Sequence, residues 1–272
     1  MASSTSPAAK RRWPLFSTVG KKIIMALSGL GLCGFLCGHL AGNLLLMQGG
    51  KFTWFNTYAR TLNAIPFLLL LELGIVAMFL IHAYDGFVLH SQNKAARGQG
   101  EYYYKEWTRQ RKSSKSRKGV SSTTMFVTGV TILLFTMMHI WHFKYHHSIG
   151  PENPISAQLA GKGAPLVGVG TGGITPVEGQ SAGESKAEGE ALSDHVVYEL
   201  KKWYVLAIYL ACMIALAVHL NHAVASAFQS LGASNSRFTK PIIWFGKAFT
   251  FVIGGAFILL PLWVSFLAEL PH

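Results

Sequence analysis

Long apolar blocks separated by polar, mostly basic segments form the main pattern of this chain. Five blocks approach or exceed the roughly 20 residues that an α-helix needs to cross the hydrocarbon core of a bilayer. They lie at about 23–47, 64–89, 123–145, 203–228 and 241–267. Backbone groups in lipid must be hydrogen-bonded internally, so each block predicts one α-helix. The pattern therefore predicts an all-α integral membrane protein with five transmembrane helices.

The composition agrees with this class. Charged residues make up 13% of the 272 residues and hydrophobic residues make up 50%, whereas a soluble domain carries about a quarter charged residues. The formal net charge of +12 would also suit a protein that binds nucleic acid. However, the basic residues lie between the apolar blocks, so we predict the lipid bilayer as a partner and no nucleic acid.

The distribution of Lys and Arg predicts the orientation of the helices. Basic residues cluster at positions 10–22, 94–118 and 237–240, whereas positions 148–199 carry seven acidic residues and two lysines. By the positive-inside rule, segment 1–22 is cytoplasmic and the C-terminus is outside. The transmembrane domain then covers residues 23–268. Its segment at about 148–199 is external, and the Gly-, Ser- and Glu-rich part of that segment predicts a flexible loop.

Histidine recurs inside four consecutive predicted spans. The residues are His39 in the first span, His82 in the second, His139 and His142 in the third, and His219 and His222 in the fourth. Ionisable residues within a membrane are costly and usually serve a function. One helical histidine is most often a hydrogen-bonded core residue, but histidines in four successive helices are difficult to explain in that way.

The distance of each histidine from its helix ends predicts two pairs. His39 and His139 lie past the midplane towards the outside, while His82 and His222 lie on the cytoplasmic side, roughly 12 Å away at 1.5 Å per residue. Facing imidazoles are suitable axial ligands for haem iron. We therefore predict that the first four helices form a bundle that holds two haems b. Depth favours His222 by only about one turn, so His219 remains an alternative ligand.

Other kinds of site remain possible at this point. A histidine-rich zinc or copper site would need three or four ligands at one depth, which the pattern does not supply. A haem-free proton transporter remains open, although Glu72 and Asp85 are the only carboxylates in the predicted spans. The absence of a CxxCH motif argues against covalent haem attachment.

The segments around these histidines resemble the diheme cytochrome b subunit of succinate dehydrogenases and fumarate reductases. The resemblance is carried by GLGLCGFLCGHLAGNLLLMQG, FNTYARTL, IHAYDGFVLHSQNKAARGQGEYY, MMHIWHFKY and HLNHAVASAFQSLG. It implies a membrane anchor for a flavoprotein subunit and an iron–sulfur subunit, which dock on the cytoplasmic face and perform the dicarboxylate chemistry. It also implies that His39 and His139 bind a distal haem, while His82 and His222 bind a proximal one.

The same resemblance implies a quinone as the other electron partner. Electrons would pass between succinate or fumarate, FAD, iron–sulfur clusters, the two haems and menaquinone, in the cytoplasmic membrane of a prokaryote. Glu72 is the candidate acid for proton transfer at the quinone site, or it only hydrogen-bonds to a neighbouring helix. The alternative is a stand-alone transmembrane diheme cytochrome b, similar to cytochrome b561 reductases, which needs no partner on the basic loop at 94–118.

Overall fold

The computed structural model describes residues 17–47, 53–96, 120–145, 192–193, 195–233 and 235–268. Within these ranges the regular secondary structure is helical, without strands. Most of the predicted cytoplasmic N-terminal segment and most of the basic loop at 94–118 lie outside the described residues, as do residues 148–191 and 194 of the predicted external segment.

Seven α-helices of more than ten residues are present in the described part of the chain. They are α1 (Thr18–Leu44), α2 (Thr53–Asn63), α3 (Leu68–Ala96), α4 (Val120–Ile140), α5 (Trp203–Ser230), α6 (Thr239–Phe249) and α7 (Gly255–Leu267). A 3₁₀ turn at Leu45–Met47 extends α1, a π-helical turn at Trp141–Tyr145 extends α4, and another at Thr250–Gly254 joins α6 to α7. Residues 195–201 form a further short helical segment before α5.

The five predicted spans are confirmed as helices that are long and apolar enough to cross a membrane. They comprise Thr18–Met47, Leu68–Ala95, Thr124–Phe143, Trp203–Ser230 and Thr239–Leu267. Their outward faces expose large apolar side chains, such as Phe251 at 82% and Phe266 at 74%. Soluble monomers rarely expose extensive apolar patches. The helices therefore indicate a membrane protein.

The second span begins later than its apolar block suggests. Residues 64–67 form a turn between the amphipathic α2 and the start of α3 at Leu68. Pro66 explains the break, because the residue before a proline is disfavoured in helical conformation and proline itself has no N–H to donate. The span then continues past the predicted end at position 89, to Ala96.

Part of the predicted external loop is folded against the helices. The described residues from 192 to 201 are mostly helical, and Ser193, Val197, Glu199 and Leu200 are buried. Val197 and Leu200 belong to the same apolar cluster as Tyr209 of α5. Burial of these side chains attaches the end of the loop to the bundle, which the composition of the loop did not indicate.

Neighbouring spans run in opposite directions. A Cβ atom at Gly31 of α1 would collide with Met78 of α3, whereas Gly86, later in α3, lies nearest Met25, earlier in α1. Helix α5 runs against α4 in the same way, and the α6–α7 span runs against α5. We call the side of the bundle on which α1 begins the near side, and the opposite side the far side.

Candidate functional site

The far-side pair consists of His39 on α1 and His139 on α4. Their ring centroids are 5.8 Å apart and their planes are nearly perpendicular, at 87°. Phe35 stacks on His39 and Phe135 stacks on His139, each at 5.4 Å. Phe257 of α7 also lies against His39, at 6.0 Å. The last span therefore contributes no histidine to the pair but does form part of its apolar wall.

The near-side pair consists of His82 on α3 and His219 on α5. Their ring centroids are 6.4 Å apart, with an interplanar angle of 71°. Depth along the helix favours His222, but the structure brings His82 together with His219, the alternative residue. Three positions along a helix change the height by about 4.5 Å and the direction of the side chain by about 60°. Depth alone is too coarse to make this choice, because side-chain direction matters as well.

Both ring separations suit a metal ion held between two imidazoles. A bond from a first-row transition metal to an imidazole nitrogen is about 2.0 Å, and the centroid lies about 1.2 Å behind that nitrogen, so two axial imidazoles have centroids roughly 6.4 Å apart. The observed 5.8 Å and 6.4 Å lie near this value. The ring separations at both levels are therefore compatible with two imidazoles as axial ligands of one iron.

Hydrogen bonds orient the near-side imidazoles for such binding. Nδ1 of His82 lies 3.2 Å from the carbonyl oxygen of Met25 and 3.3 Å from Oγ of Ser28. A carbonyl oxygen can only accept, so Nδ1 is the donor and Nε2 keeps a free lone pair. Nδ1 of His219 lies 3.2 Å from Oγ1 of Thr128, whose own hydroxyl donates to a carbonyl oxygen earlier on α4. This arrangement is typical of metal-binding histidines.

A chain of polar contacts leads away from the far-side pair. The hydroxyl of Tyr209 lies 3.2 Å from Nδ1 of His139 and 3.2 Å from Nδ1 of His142. Nε2 of His142 lies 3.0 Å from Oε2 of Glu199, and Nζ of Lys202 donates to Oε1 of the same carboxylate at 2.8 Å. The chain therefore connects a candidate haem ligand to the residues just beyond the end of the membrane span.

Glu199 is kept ionised by its neighbours. Burial would raise the pKa of its carboxyl, but hydrogen bonds from Lys202 and His142 outweigh burial and hold this pKa below its usual range. Burial would lower the pKa of Lys202, yet the contact with Glu199 raises it. Near neutral pH this end of the bundle therefore presents a carboxylate beside an ammonium group.

A repeated sequence pattern, which hydropathy does not reveal, positions the two pairs. The pattern M-x2-[ST]-G-x5-F-x3-H occurs in α1 and again in α4, 100 positions later. Its second copy comprises Met125, Thr128, Gly129, Phe135 and His139.

The two copies make equivalent contacts. A Cβ atom at Gly29 would lie 3.0 Å from Cε1 of His82, and one at Gly129 would lie 3.6 Å from Cε1 of His219. The hydroxyl before each glycine contacts the same histidine through Nδ1. His82 and His219 therefore occupy corresponding positions, and these contacts also distinguish His219 from His222. The repeat itself is a signal that the sequence carries, although the predictions from hydropathy and depth do not use it.

Glu72 lies near the far-side level. It is half-buried in the second turn of α3, ten residues before His82 and thus about 15 Å further towards the far side. A shallow groove of about 440 Å³ opens at the far end of α1, lined by Leu45, Trp54, Thr57, Tyr58 and Thr61. The role of Glu72 at a quinone site stays a prediction.

Comparison with known proteins does not assign this chain to a family. No family model matches it. No curated protein and no solved structure matches it either. The two histidine pairs and the residues that orient them are therefore the basis for a functional assignment.

Proposed function

We propose that this chain is the membrane-anchor cytochrome b subunit of a succinate:quinone oxidoreductase or fumarate reductase. It carries electrons between an iron–sulfur subunit and the quinone pool through two haems b, each ligated by two histidines. The observation that carries the proposal is the pair of histidine sites, each built from two different helices, at two levels of one bundle. The sequence resemblance of the same helices to diheme anchor subunits supports it further.

The proposed ligands are His39 and His139 on the far side, and His82 and His219 on the near side. When bound, each haem supplies a one-electron couple at its iron. The protein orients the four imidazoles: Ser28 and Thr128 engage Nδ1 on the near side, and aromatic rings pack around the far-side pair. Helices α1, α3, α4 and α5 thus form the haem-binding bundle, and the α6–α7 span packs beside it.

The spacing of the two levels supports transfer across a membrane. In α1, the contact of Ser28 with His82 marks the near-side level, and His39 marks the far-side level. These positions are 11 residues apart, which is about 16 Å along a helix. The corresponding positions in α4, Thr128 and His139, have the same separation. Two redox centres stacked in this way connect the two membrane surfaces.

The basic near side is the proposed docking face for the soluble subunits. By the positive-inside rule this side is cytoplasmic, in the cytoplasmic membrane of a prokaryote. The flavoprotein subunit with FAD and the iron–sulfur subunit bind there, so His82 and His219 hold the haem nearest to them. Menaquinone reacts on the far side, where Glu72 is the proposed proton-transfer residue and the groove beside Tyr58 offers apolar lining with hydroxyl groups.

The direct test is to purify the chain from its native membrane in mild detergent, with any bound subunits, and to record a reduced-minus-oxidised spectrum. We expect a b-type α-band, two haems per chain, co-purifying flavin and iron–sulfur clusters, and haem reduction by succinate or haem reoxidation by fumarate. The absence of a b-type band would exclude the haem sites. Two haems without partner subunits would instead identify a stand-alone diheme cytochrome b.

The quinone assignment has its own test. Glu72→Gln keeps the size of the side chain but removes its ability to carry a proton as a carboxylic acid. We expect unchanged haem content and at least a roughly tenfold lower turnover with a menaquinone analogue. Turnover equal to that of the wild type would exclude Glu72 from proton transfer.

A further inference from the structure

Three metal-ligand side chains meet on the far side, apart from both histidine pairs. His142, His195 and Glu199 each offer one ligand atom, and these atoms all lie within 4.8 Å of one another. His142 lies in the π-helical turn after α4, whereas His195 and Glu199 lie in the short helical segment before α5. Positions four apart on a helix share one face, so the segment presents both side chains together towards His142.

We propose that His142, His195 and Glu199 form a binding site for a divalent transition-metal ion, with Zn²⁺ as the expected occupant. Two imidazoles and one carboxylate are typical zinc ligands, with bonds of about 2.0–2.2 Å, so that tetrahedral ligand atoms lie roughly 3.3 Å apart. Nε2 of His142 and Oε2 of Glu199 are already 3.0 Å apart. All three ligand atoms lie within 4.8 Å of one another, so a small opening of this pair and a small approach of any more distant ligand give the tetrahedral spacing, and water completes the coordination.

The surroundings orient these ligands as in known metal sites. Tyr209 contacts Nδ1 of His142 at 3.2 Å, which directs Nε2 towards Glu199. Nε2 of His195 lies 3.4 Å from the carbonyl oxygen of His142. Partners of this kind hold the ring orientation and increase metal affinity. Side-chain exposure is 16% for His142 and 11% for Glu199, so the site is enclosed but can be reached from the aqueous side.

Replacing Lys202 can distinguish a metal site at Glu199 from a simple ion pair. Its ammonium binds the other oxygen of Glu199 at 2.8 Å and repels a dication at the same carboxylate. Removing this charge should tighten metal binding if the site exists. If Glu199 serves only as the partner of Lys202 and His142, the same change has no effect on any metal affinity.

The test is a titration of the full chain with Zn²⁺ alone, using a protein purified through a histidine-free tag and a chelator that buffers free zinc. We expect one zinc per chain with a dissociation constant in the micromolar range or below. His195→Gln and Glu199→Gln should each weaken this site at least tenfold, and Lys202→Met should strengthen it several-fold. His90→Gln is the control, because it removes an imidazole that stacks on Phe126, outside the cluster.

Thermal unfolding of each variant without zinc shows whether it keeps the wild-type fold. For folded variants, a zinc affinity that does not change in His195→Gln or Glu199→Gln would overturn the proposal. A wild type that binds no zinc below about 100 µM would overturn it as well. If His195→Gln fails to fold, the zinc affinities of Glu199→Gln and Lys202→Met test the proposal. Zinc affinity is measured independently of haem content. The absence of a zinc site would therefore leave the proposed electron-transfer role unaffected.

Discussion

His82 on α3 faces His219 on α5, with ring centroids 6.4 Å apart. Nδ1 of each ring has hydrogen-bond partners. For His82 they are Oγ of Ser28 and the carbonyl oxygen of Met25, and for His219 the partner is Oγ1 of Thr128. The free nitrogens of the two rings are thereby available to a ligand between α3 and α5.

Replacing His219 should remove the near-side haem. We expect His219→Ala to bind one haem per chain instead of two and to lose one component of the redox titration, since an axial ligand is absent. His222→Ala, one turn further along α5, serves as the matched control and should retain both haems. Haem per chain is measured by the pyridine haemochrome method. One haem in His222→Ala and two in His219→Ala would reverse the assignment.

Of the two proposed haems, Tyr209 should affect only the one on the far side. Tyr209→Phe removes the hydroxyl that contacts Nδ1 of His139, and losing such a partner typically costs about 10–100-fold in metal affinity. We expect faster haem loss from the far-side site to apomyoglobin, with an unchanged near-side component. Tyr204→Phe is the control, because Tyr204 is half exposed. Equal haem-loss rates in both variants would show that Tyr209 does not support the far-side ligand.

Close packing between α5 and the last span depends on Gly254. A Cβ atom there would lie 2.9 Å from Cβ and 3.3 Å from Cα of Ala217, whereas one at Gly255 would have no neighbour within 4 Å. We expect Gly254→Ala to lower the free energy of unfolding by about 1–3 kcal/mol, because the backbone of α5 must move. Gly255→Ala should instead leave it unchanged or raise it by up to about 1 kcal/mol, because alanine favours the helix and its Cβ meets no neighbour. Both free energies are measured by unfolding the protein in detergent micelles with increasing amounts of a denaturing detergent. Equal effects of the two substitutions would contradict this packing.

The orientation of the bundle can be measured with reporter fusions. A fluorescent protein fused to the N-terminus should fluoresce, since the basic segment at 10–22 keeps it in the cytoplasm. Alkaline phosphatase fused after residue 268 should be active, because five spans place that end outside. Reducing the basic charge of the loop at 94–118 should weaken the preference for the orientation with a cytoplasmic N-terminus. An active phosphatase at the N-terminus would show the opposite orientation.

Several features of the site could be predicted from the sequence because they depend on position along one helix. The apolar blocks locate the five spans, and counting from their ends places His39 with His139 at one level. The repeat shared by α1 and α4 is also visible in the sequence, where Gly29 and Gly129 follow a hydroxyl residue. This repeat indicates that α1 and α4 have equivalent roles in the bundle.

Other features could not be predicted because they depend on how the helices are rotated against one another. His219 and His222 differ by less than a turn in depth, and only the packing of α5 against α4 determines which ring faces His82. Phe257 reaches His39 from a helix that carries no histidine of its own. Neither contact has a signal in hydropathy, which reports depth but not side-chain direction.

The pattern of apolar blocks and histidines was enough to predict a five-span helical membrane protein with histidines at two depths, because a bilayer imposes length and apolarity on each helix separately. Helix packing selects which imidazoles lie next to each other and which hydroxyl groups contact them. Helix packing also brings His142 to His195 and Glu199, which are more than 50 positions away in the chain. Such contacts depend on helix rotation and on a folded loop end, and both are set by packing between segments that are distant in the chain.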